Sequence, residues 1–329
     1  MTRPRAVAAK AAQYALVLWA AATLNFLLPR LAPGDPVQYL YGGDALGLAR
    51  EALAEVQAGY GLDRSLPEQY LAFWTGLLRG DLGRSVQFNR PVTEVLAEFL
   101  PWTVALVGVS TLLALLVGVG AGAWAAWHRG SRRDKGAVAA VLALDSMPGF
   151  WIGMVLIAVF AVGLGWFPSY GAAAIDAEGV AWLVDAVHRT VLPATTLALA
   201  TFGGFFLLTR AAMVSVLDEP FVRLARAKGV PEGRIALHHA LRTALLPVWT
   251  NLTMVLGALL SGAVVVETVF AYPGLGRLMY DAVTARDHPL LQGAFLLVTV
   301  GIVAANALAD LTYPLLDPRV GRASEGAAS

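Results

Sequence analysis

Cysteine is missing from all 329 residues, so no disulfide and no thiolate metal site can form, and the redox compartment leaves no mark on the chain. Charge is scarce too. Asp, Glu, Lys and Arg make up 14% of the chain, against about 25% in an ordinary soluble domain. The formal net charge is +1, which gives no reason to expect nucleic acid as a partner. No GxxxxGK[ST] phosphate loop occurs, so the chain binds no ATP by that route. The five histidines form no metal-ligand set, and no nucleophile–base arrangement stands out. His238 and His239 are neighbours on a helix and point in different directions. Ionisable groups within apolar runs are few and no internal repeat is visible, which argues against a carrier driven by protons or sodium.

Hydrophobic residues, by contrast, reach 57% and the mean hydropathy is +0.63. That is the composition of an integral membrane protein. A helix crosses a bilayer with about 20 apolar residues, and by that measure six spans are expected, near 11–29, 103–127, 138–163, 190–213, 245–267 and 291–313. The first run follows MTRPRAVAAK and is roughly 18 residues long, more than the h-region of a signal peptide, with no small-residue cleavage site after it. It is read as an uncleaved span. Basic residues concentrate at Arg3, Arg5 and Lys10, at Arg129, Arg132, Arg133 and Lys135, from Arg210 to Arg242, and at Arg319 and Arg322. The positive-inside rule then puts both termini in the cytoplasm. The expected fold is all-α: a first span and a large extracytoplasmic region over 1–100, a core over 101–315, and a cytoplasmic tail over 316–329.

The first outside region opens on the turn-forming run LAPGDP at Leu31–Pro36. Ser65 and Glu68 then have capping-box spacing, and Tyr70, Phe73, Trp74, Leu77 and Leu78 share one helical face. This is read as an amphipathic helix, lying at the interface or on the bundle, or offering a platform to an extracytoplasmic partner. In the second span Gly118 and Gly122 form a small-xxx-small pair suited to close helix packing. Asp145, followed by Pro148, lies well inside the third expected span. A carboxylate there is costly unless paired or wetted, so either the span boundary is misplaced, or Asp145 meets a structural partner on another helix, or it lines a pathway. Trp166 and Phe167 in the second outside loop read as interfacial anchors. Glu267 ends the fifth span, where it either meets water or shapes an outer gate. Asn306 and Asp310, at i, i+4, are expected to make an interhelical polar contact.

The longest polar interruption among the later spans is DEPFVRLARAKGVPEGRIALHHALRTALLP, Asp218–Pro247. It reads as two short helices with a hinge. Asp218 caps the first, with Pro220 in its first turn. Gly229 supplies the positive φ that ends it, and Pro231 prevents continuation. The second helix is expected from Pro231 to Leu245. Its apolar stripe would be Leu237, Ala240, Leu241, Ala244 and Leu245, with Arg234, His238 and Arg242 on the other side.

This segment resembles the cytoplasmic "EAA" loop of permease subunits in binding-protein-dependent ATP-binding-cassette importers, and ARAKG…HALRTALLP is similar to the dipeptide/oligopeptide/nickel branch. Residues Gly61–Val86, Val264–Leu278 and the closing ADLTYPLLDPRV also resemble that branch. The EAA tripeptide falls on Arg223, Leu224 and Ala225, of which only the last agrees, and the family glycine on Gly229. The family's Ile-x-Leu-Pro falls on His239 to Arg242, where only Leu241 agrees, and the proline comes later, at Pro247. The resemblance implies the type I importer permease fold and a coupling loop that includes Arg223, Leu224, Ala225, Arg226, Ala227, Lys228, Gly229, Arg234 and His238. It implies a non-catalytic subunit in the bacterial inner membrane. Its partners would be a second, homologous permease, two ATPase subunits that use ATP–Mg, and an extracytoplasmic solute-binding protein. The cargo would be a peptide, with nickel or a glutathione-like solute as alternatives. Two other readings are an ion-coupled carrier or channel using Asp145, Glu267 and Asp310, and a membrane enzyme with its site in the first outside loop.

Overall fold

The structure is a computed structural model that describes residues 3–31, 64–173 and 178–316. The LAPGDP run beyond Leu31, together with Arg319 and Arg322, lies outside the described residues. Helices α1 (Arg3–Leu31), α2 (Leu66–Leu78), α3 (Val92–Trp127), α4 (Arg132–Asp145), α5 (Gly149–Leu156) and α6 (Gly179–Leu217) come first. They are followed by α7 (Pro220–Ala227), α8 (Arg242–Val269), α9 (Leu275–Thr284) and α10 (His288–Leu316). Two π-helical stretches extend this framework, Ile157–Gly163 after α5 and Ile235–Leu241 before α8.

Five of the six expected spans each fall within one helix, and the one at 138–163 does not. Among the described residues, three helices are long and apolar enough to cross a bilayer: α3, α6 and the His288–Leu308 part of α10. The number becomes four if α4 and Gly149–Gly163 form one broken span, for these two are bent by 97°. The single straight span expected at 138–163 is therefore an elbow. Ser146 ends α4, and Pro148 takes the extended conformation that precedes α5 (φ −60°, ψ 138°). A proline disfavours helical backbone at the residue before it and cannot itself donate an amide hydrogen.

The chain divides into two compact units. One is made of Val104–Tyr272 with the chain from Ala304 onward; the other runs up to Thr103 and includes Pro273–Val303. In the second unit, α2 lies on α1. Tyr70 Oη and Thr23 Oγ1 are 2.8 Å apart, and the Phe26 ring meets Tyr70 and Phe73 at centroid distances of 5.2 and 5.5 Å. The helix thus meets α1 through Tyr70 and Phe73, while Leu78 on the expected face is exposed. Glu68 reaches back to accept from the Ser65 amide at 2.9 Å, as the capping spacing requires.

Helix α3 starts eleven residues before the expected span. Counting apolar residues misses its first turns because they are amphipathic. Glu94 and Glu98 are exposed, while Val92, Val95 and Leu96 are buried against Leu275, Leu278, Ala282, Leu290 and Ala294. The Leu275 amide donates to Thr103 Oγ1 at 2.7 Å and so starts α9. Asp287 closes the cluster. Its buried carboxylate accepts from Ser85 Oγ (2.5 Å), the Gln87 amide (2.9 Å) and the Leu290 amide at the head of α10 (3.1 Å).

In the other unit α3 and α6 approach closely through Gly118 and Gly122. A Cβ on Gly122 would stand 2.6 Å from the Phe206 carbonyl oxygen, and one on Gly118 would stand 2.7 Å from Phe205 Cβ. The small-xxx-small pair is thus a packing device. Phe205 is buried with Ala114, Ala198 and Val248, and Phe206 with Ala125 and Val141.

Candidate functional site

The hinge of the Asp218–Pro247 segment is as its sequence suggests. Helix α7 begins with Pro220 in its first turn, and Gly229 adopts φ +75°. The Gly229 amide donates to the Arg226 carbonyl and the Val230 amide to the Ala225 carbonyl. The backbone then enters the turn Glu232–Arg234 from Pro231.

Two local expectations need correction. Asp218 is not the cap of α7: the N-cap position is Glu219, with no side-chain cap bond. The Asp218 carboxylate is instead held by Arg129, at 2.6 Å (Nη1–Oδ2) and 2.7 Å (Nη2–Oδ1), while Arg223 Nη2 donates to the Asp218 carbonyl at 2.9 Å. A two-pronged guanidinium contact outcompetes a single bond to a helix amide. The second helix also does not stop near Leu245. It passes through the π-helical stretch into α8, and its buried side changes accordingly. Ile235 and Ala240, five residues apart, are buried, as is Ala244, while Leu237 is 65% exposed and Leu245 is exposed. A π turn brings residues i and i+5 together, so a stripe drawn at 3.6 residues per turn misplaces Leu237 and Leu245, while Leu241 does pack on the buried side.

The knuckle therefore has a defined inside and outside. Val222, Ala225, Ile235, Ala240 and Ala244 form an apolar spine with Ala126, Met213 and Leu217. Arg223, Leu224, Arg226, Ala227, Lys228, Gly229, Arg234 and His238 are exposed. Of the residues carried over from the family motif, only Ala225 is buried. Phe221 joins Leu224 as an exposed apolar side chain on α7. Arg226 pairs with Glu232 across the hinge at 3.1 Å. A cleft of about 330 Å³ lies beneath, lined by Ala126, Trp127, Arg129, Leu217, Arg226 and Glu232.

The Arg129 guanidinium holds the Asp218 carboxyl below its ordinary value, chiefly through their hydrogen bonds. Such a group stabilises the fold above its unfolded pKa and loses that contribution as pH falls through the lowered value. The pair is accordingly closed at neutral pH and opens only in acid. It is exposed, so its role is positional rather than energetic.

Deeper support comes from Asp134, a residue the charge pattern hides among Arg132, Arg133 and Lys135. It is 2% exposed and binds Arg210 in two-pronged fashion, at 2.6 Å (Nε–Oδ1) and 2.7 Å (Nη2–Oδ2). It also accepts from the Gly130 amide at 2.9 Å. This ties the start of α4 to the end of α6, just before the knuckle.

Away from the knuckle, Asp145 is the last residue of α4, exposed at the elbow, with its Oδ1 3.0 Å from where a Cβ on Gly203 would stand. Glu267 is fully buried, so it does not meet water at a span end. The Tyr272 amide donates to its backbone carbonyl at 2.8 Å. Asn306 is exposed and Asp310 half-buried. No group of three or more potential metal ligands is found among the described residues.

Comparison with known proteins agrees with this architecture. The oligopeptide transport system permease protein AppB of Bacillus subtilis is 37% identical over 298 residues, covering 90% of this chain and 93% of the relative. The dipeptide permease protein DppB of Escherichia coli is 37% identical over 316 residues, with coverages of 90% and 93%. The glutathione transport system permease protein GsiC of Pectobacterium atrosepticum is 40% identical over 301 residues, with coverages of 90% and 92%. Among solved structures, an inward-facing form of the MetNI methionine ABC transporter superposes with a TM-score of 0.57 at 16% identity, over 68% of this chain and 96% of that one. The crystal structure of an amino acid ABC transporter with histidines reaches 0.51 at 14%, over 67% and 94%. At such identities these two speak for the fold alone. Residues 118–322 match the family described as the binding-protein-dependent transport system inner membrane component, and the chain belongs to that family as a permease subunit of an ABC importer.

Proposed function

We propose that this chain forms half of the route by which di- or oligopeptides, delivered by an extracytoplasmic binding protein, enter the cell. It would cross the inner membrane six times, with both termini in the cytoplasm. It pairs with a second, homologous permease above two ATPase subunits, and ATP–Mg is used by those subunits alone. The observation that carries the coupling role is the two-sided knuckle. A buried apolar spine and two ion pairs define the backbone of the knuckle, while Phe221 and Leu224 stand exposed, as do Arg223, Lys228, Arg234 and His238. An apolar centre with a charged rim is the usual build of a docking surface. A rigid element gripped differently in two states can move the bundle between inward and outward access. Peptide cargo rests on the names of AppB and DppB. The 40% identity to GsiC favours a glutathione-like solute as the second reading.

Ligand identification on the cognate binding protein decides the cargo. Docking is tested by pull-down of the ATPase with the permease pair. Leu224→Asp is expected to weaken retention by about 2 kcal/mol, as loss of a central apolar anchor does. Lys228→Glu, a rim change, should cost about 1 kcal/mol and act mainly on the association rate. Arg226→Glu removes its bond to Glu232 as well and should weaken docking further than Lys228→Glu. Full retention with normal uptake in all three would remove the knuckle from the mechanism.

Gly229→Val separates backbone geometry from packing. A Cβ at this position meets nothing within 4 Å, so the cost is that of holding a β-branched residue at φ +75°, at least about 1–2 kcal/mol. Uptake should fall, Gly229→Asn should lose less because asparagine tolerates this region, and both variants should still insert. Wild-type uptake by Gly229→Val would show that the hinge geometry is dispensable.

A further inference from the structure

The importer reading leaves the elbow between α4 and α5 without a role, and two independent features meet there. The first is the backbone. A helix bent by 97° inside an apolar stretch leaves the regular ladder at Ser146–Pro148. Irregular backbone at membrane depth is tolerated only where it is buried in protein or borders water. Part of the break is satisfied locally: the Ser146 amide donates to the Leu142 carbonyl and the Met147 amide to the Leu144 carbonyl, each at 3.1 Å, and Ser146 Oγ donates to the Ala143 carbonyl at 2.7 Å. The elbow itself is not covered, since Asp145, Ser146, Met147 and Pro148 are all exposed.

The second feature is charge. Asp145 presents a carboxylate at the C-terminus of α4, where the helix already carries partial negative charge. Among the described residues nothing hydrogen-bonds to or pairs with that carboxylate. An unpaired carboxylate facing lipid tails is strongly unfavourable. Helix end and side chain have the same sign, and discontinuous helices use their C-terminal ends to hold cations.

From this juxtaposition we infer that the Asp145 elbow is a water-exposed station on the transport route that favours a cationic group, such as the primary ammonium of a peptide N-terminus or a lysine side chain. This rests on the importer reading, in which the chain lines a solute path. It adds the sign of the charge that the path selects and the residue that selects it. Gly203 positions the carboxylate, for a Cβ there would press on Oδ1.

The chain has no cysteine, so Ser146→Cys introduces its sole thiol. The assembled transporter in proteoliposomes is treated with a quaternary-ammonium methanethiosulfonate or with its sulfonate counterpart, and labelling of this chain is followed by mass. Each rate is divided by the reagent's rate with free mercaptoethanol. The cationic reagent is expected to be favoured by about tenfold, the scale of one charge acting at a few ångströms through partly wetted surroundings. Asp145→Asn should abolish the preference, and Asp145→Glu should keep it. Met147→Cys serves as a second reporter if Ser146→Cys does not assemble. Labelling by neither reagent overturns the proposal, because the elbow is then sealed by lipid or protein. So does equal labelling by both, or a preference that survives Asp145→Asn. Failure of the importer reading would look different: the wild-type complex with its ATPases and binding protein would show no ATP-driven uptake.

Discussion

Asp134→Ala is expected to cost about 3 kcal/mol of stability, the scale of breaking a buried ion pair from one side. The carboxylate is 2% exposed and accepts two bonds from Arg210 and one from the Gly130 amide. Its removal leaves the Arg210 guanidinium, whose side chain is 29% exposed, without its partner, and leaves Gly130 N–H to find water. Arg210→Lys should cost less, about 1–2 kcal/mol, because an ammonium keeps the charge but not the two-pronged fork. The double variant Asp134→Leu with Arg210→Met should lie closer to wild type than either partner's single removal, since no unpaired charge remains. Thermal melting of the purified permease in detergent measures all of these. Wild-type melting of Asp134→Ala would mean that the pair contributes nothing to holding α4 on α6.

Gly122→Val should be comparably damaging for a different reason. At this crossing the helix backbones are so close that even the first carbon of a side chain has no room. A Cβ would stand 2.6 Å from the Phe206 carbonyl oxygen, 3.0 Å from Thr209 Cβ and 3.3 Å from the Arg210 amide nitrogen. A carbonyl oxygen within a helix cannot swing aside as a side-chain tip can, so α3 and α6 must separate. Overpacking of this kind costs about 1–3 kcal/mol, and valine, larger than alanine, should reach the upper end. Gly120 and Gly204 are the controls. Neither would bring a Cβ within 4 Å of anything. Alanine there should be neutral or stabilising by about 0.5 kcal/mol through the stiffer unfolded chain. Melting curves and yield of folded protein report the contrast. Equal tolerance at Gly120 and Gly122 would mean that the two helices do not cross as described. Because Gly122 lies against the backbone of Arg210, Gly122→Ala and Asp134→Ala should not add independently.

Features that depend on near neighbours in the chain were legible without coordinates. The long apolar helices follow from the length of apolar runs, the hinge at Gly229 from a glycine followed closely by proline, and the α3–α6 approach from two glycines one turn apart. The basic character of the Asp218–Pro247 segment was equally plain, together with the family it resembles. Other features were settled only when distant segments came together. Asp218 reads as a helix cap until Arg129, 89 residues away, claims both its oxygens. Asp134 looks like one charge in a basic loop until Arg210 arrives from 76 residues on. Local patterns carry no information about such partners, because a carboxylate binds whichever donor the packed helices deliver. The same holds for the π turn at Ile235–Leu241, which shifts the buried stripe off Leu237, and for Glu267, which burial removes from water. The sequence by itself determined that this is a helical membrane chain with a polar knuckle. Tertiary structure alone decided which charges hold that knuckle and which side of it is left exposed, because both depend on the distance between residues far apart in the chain.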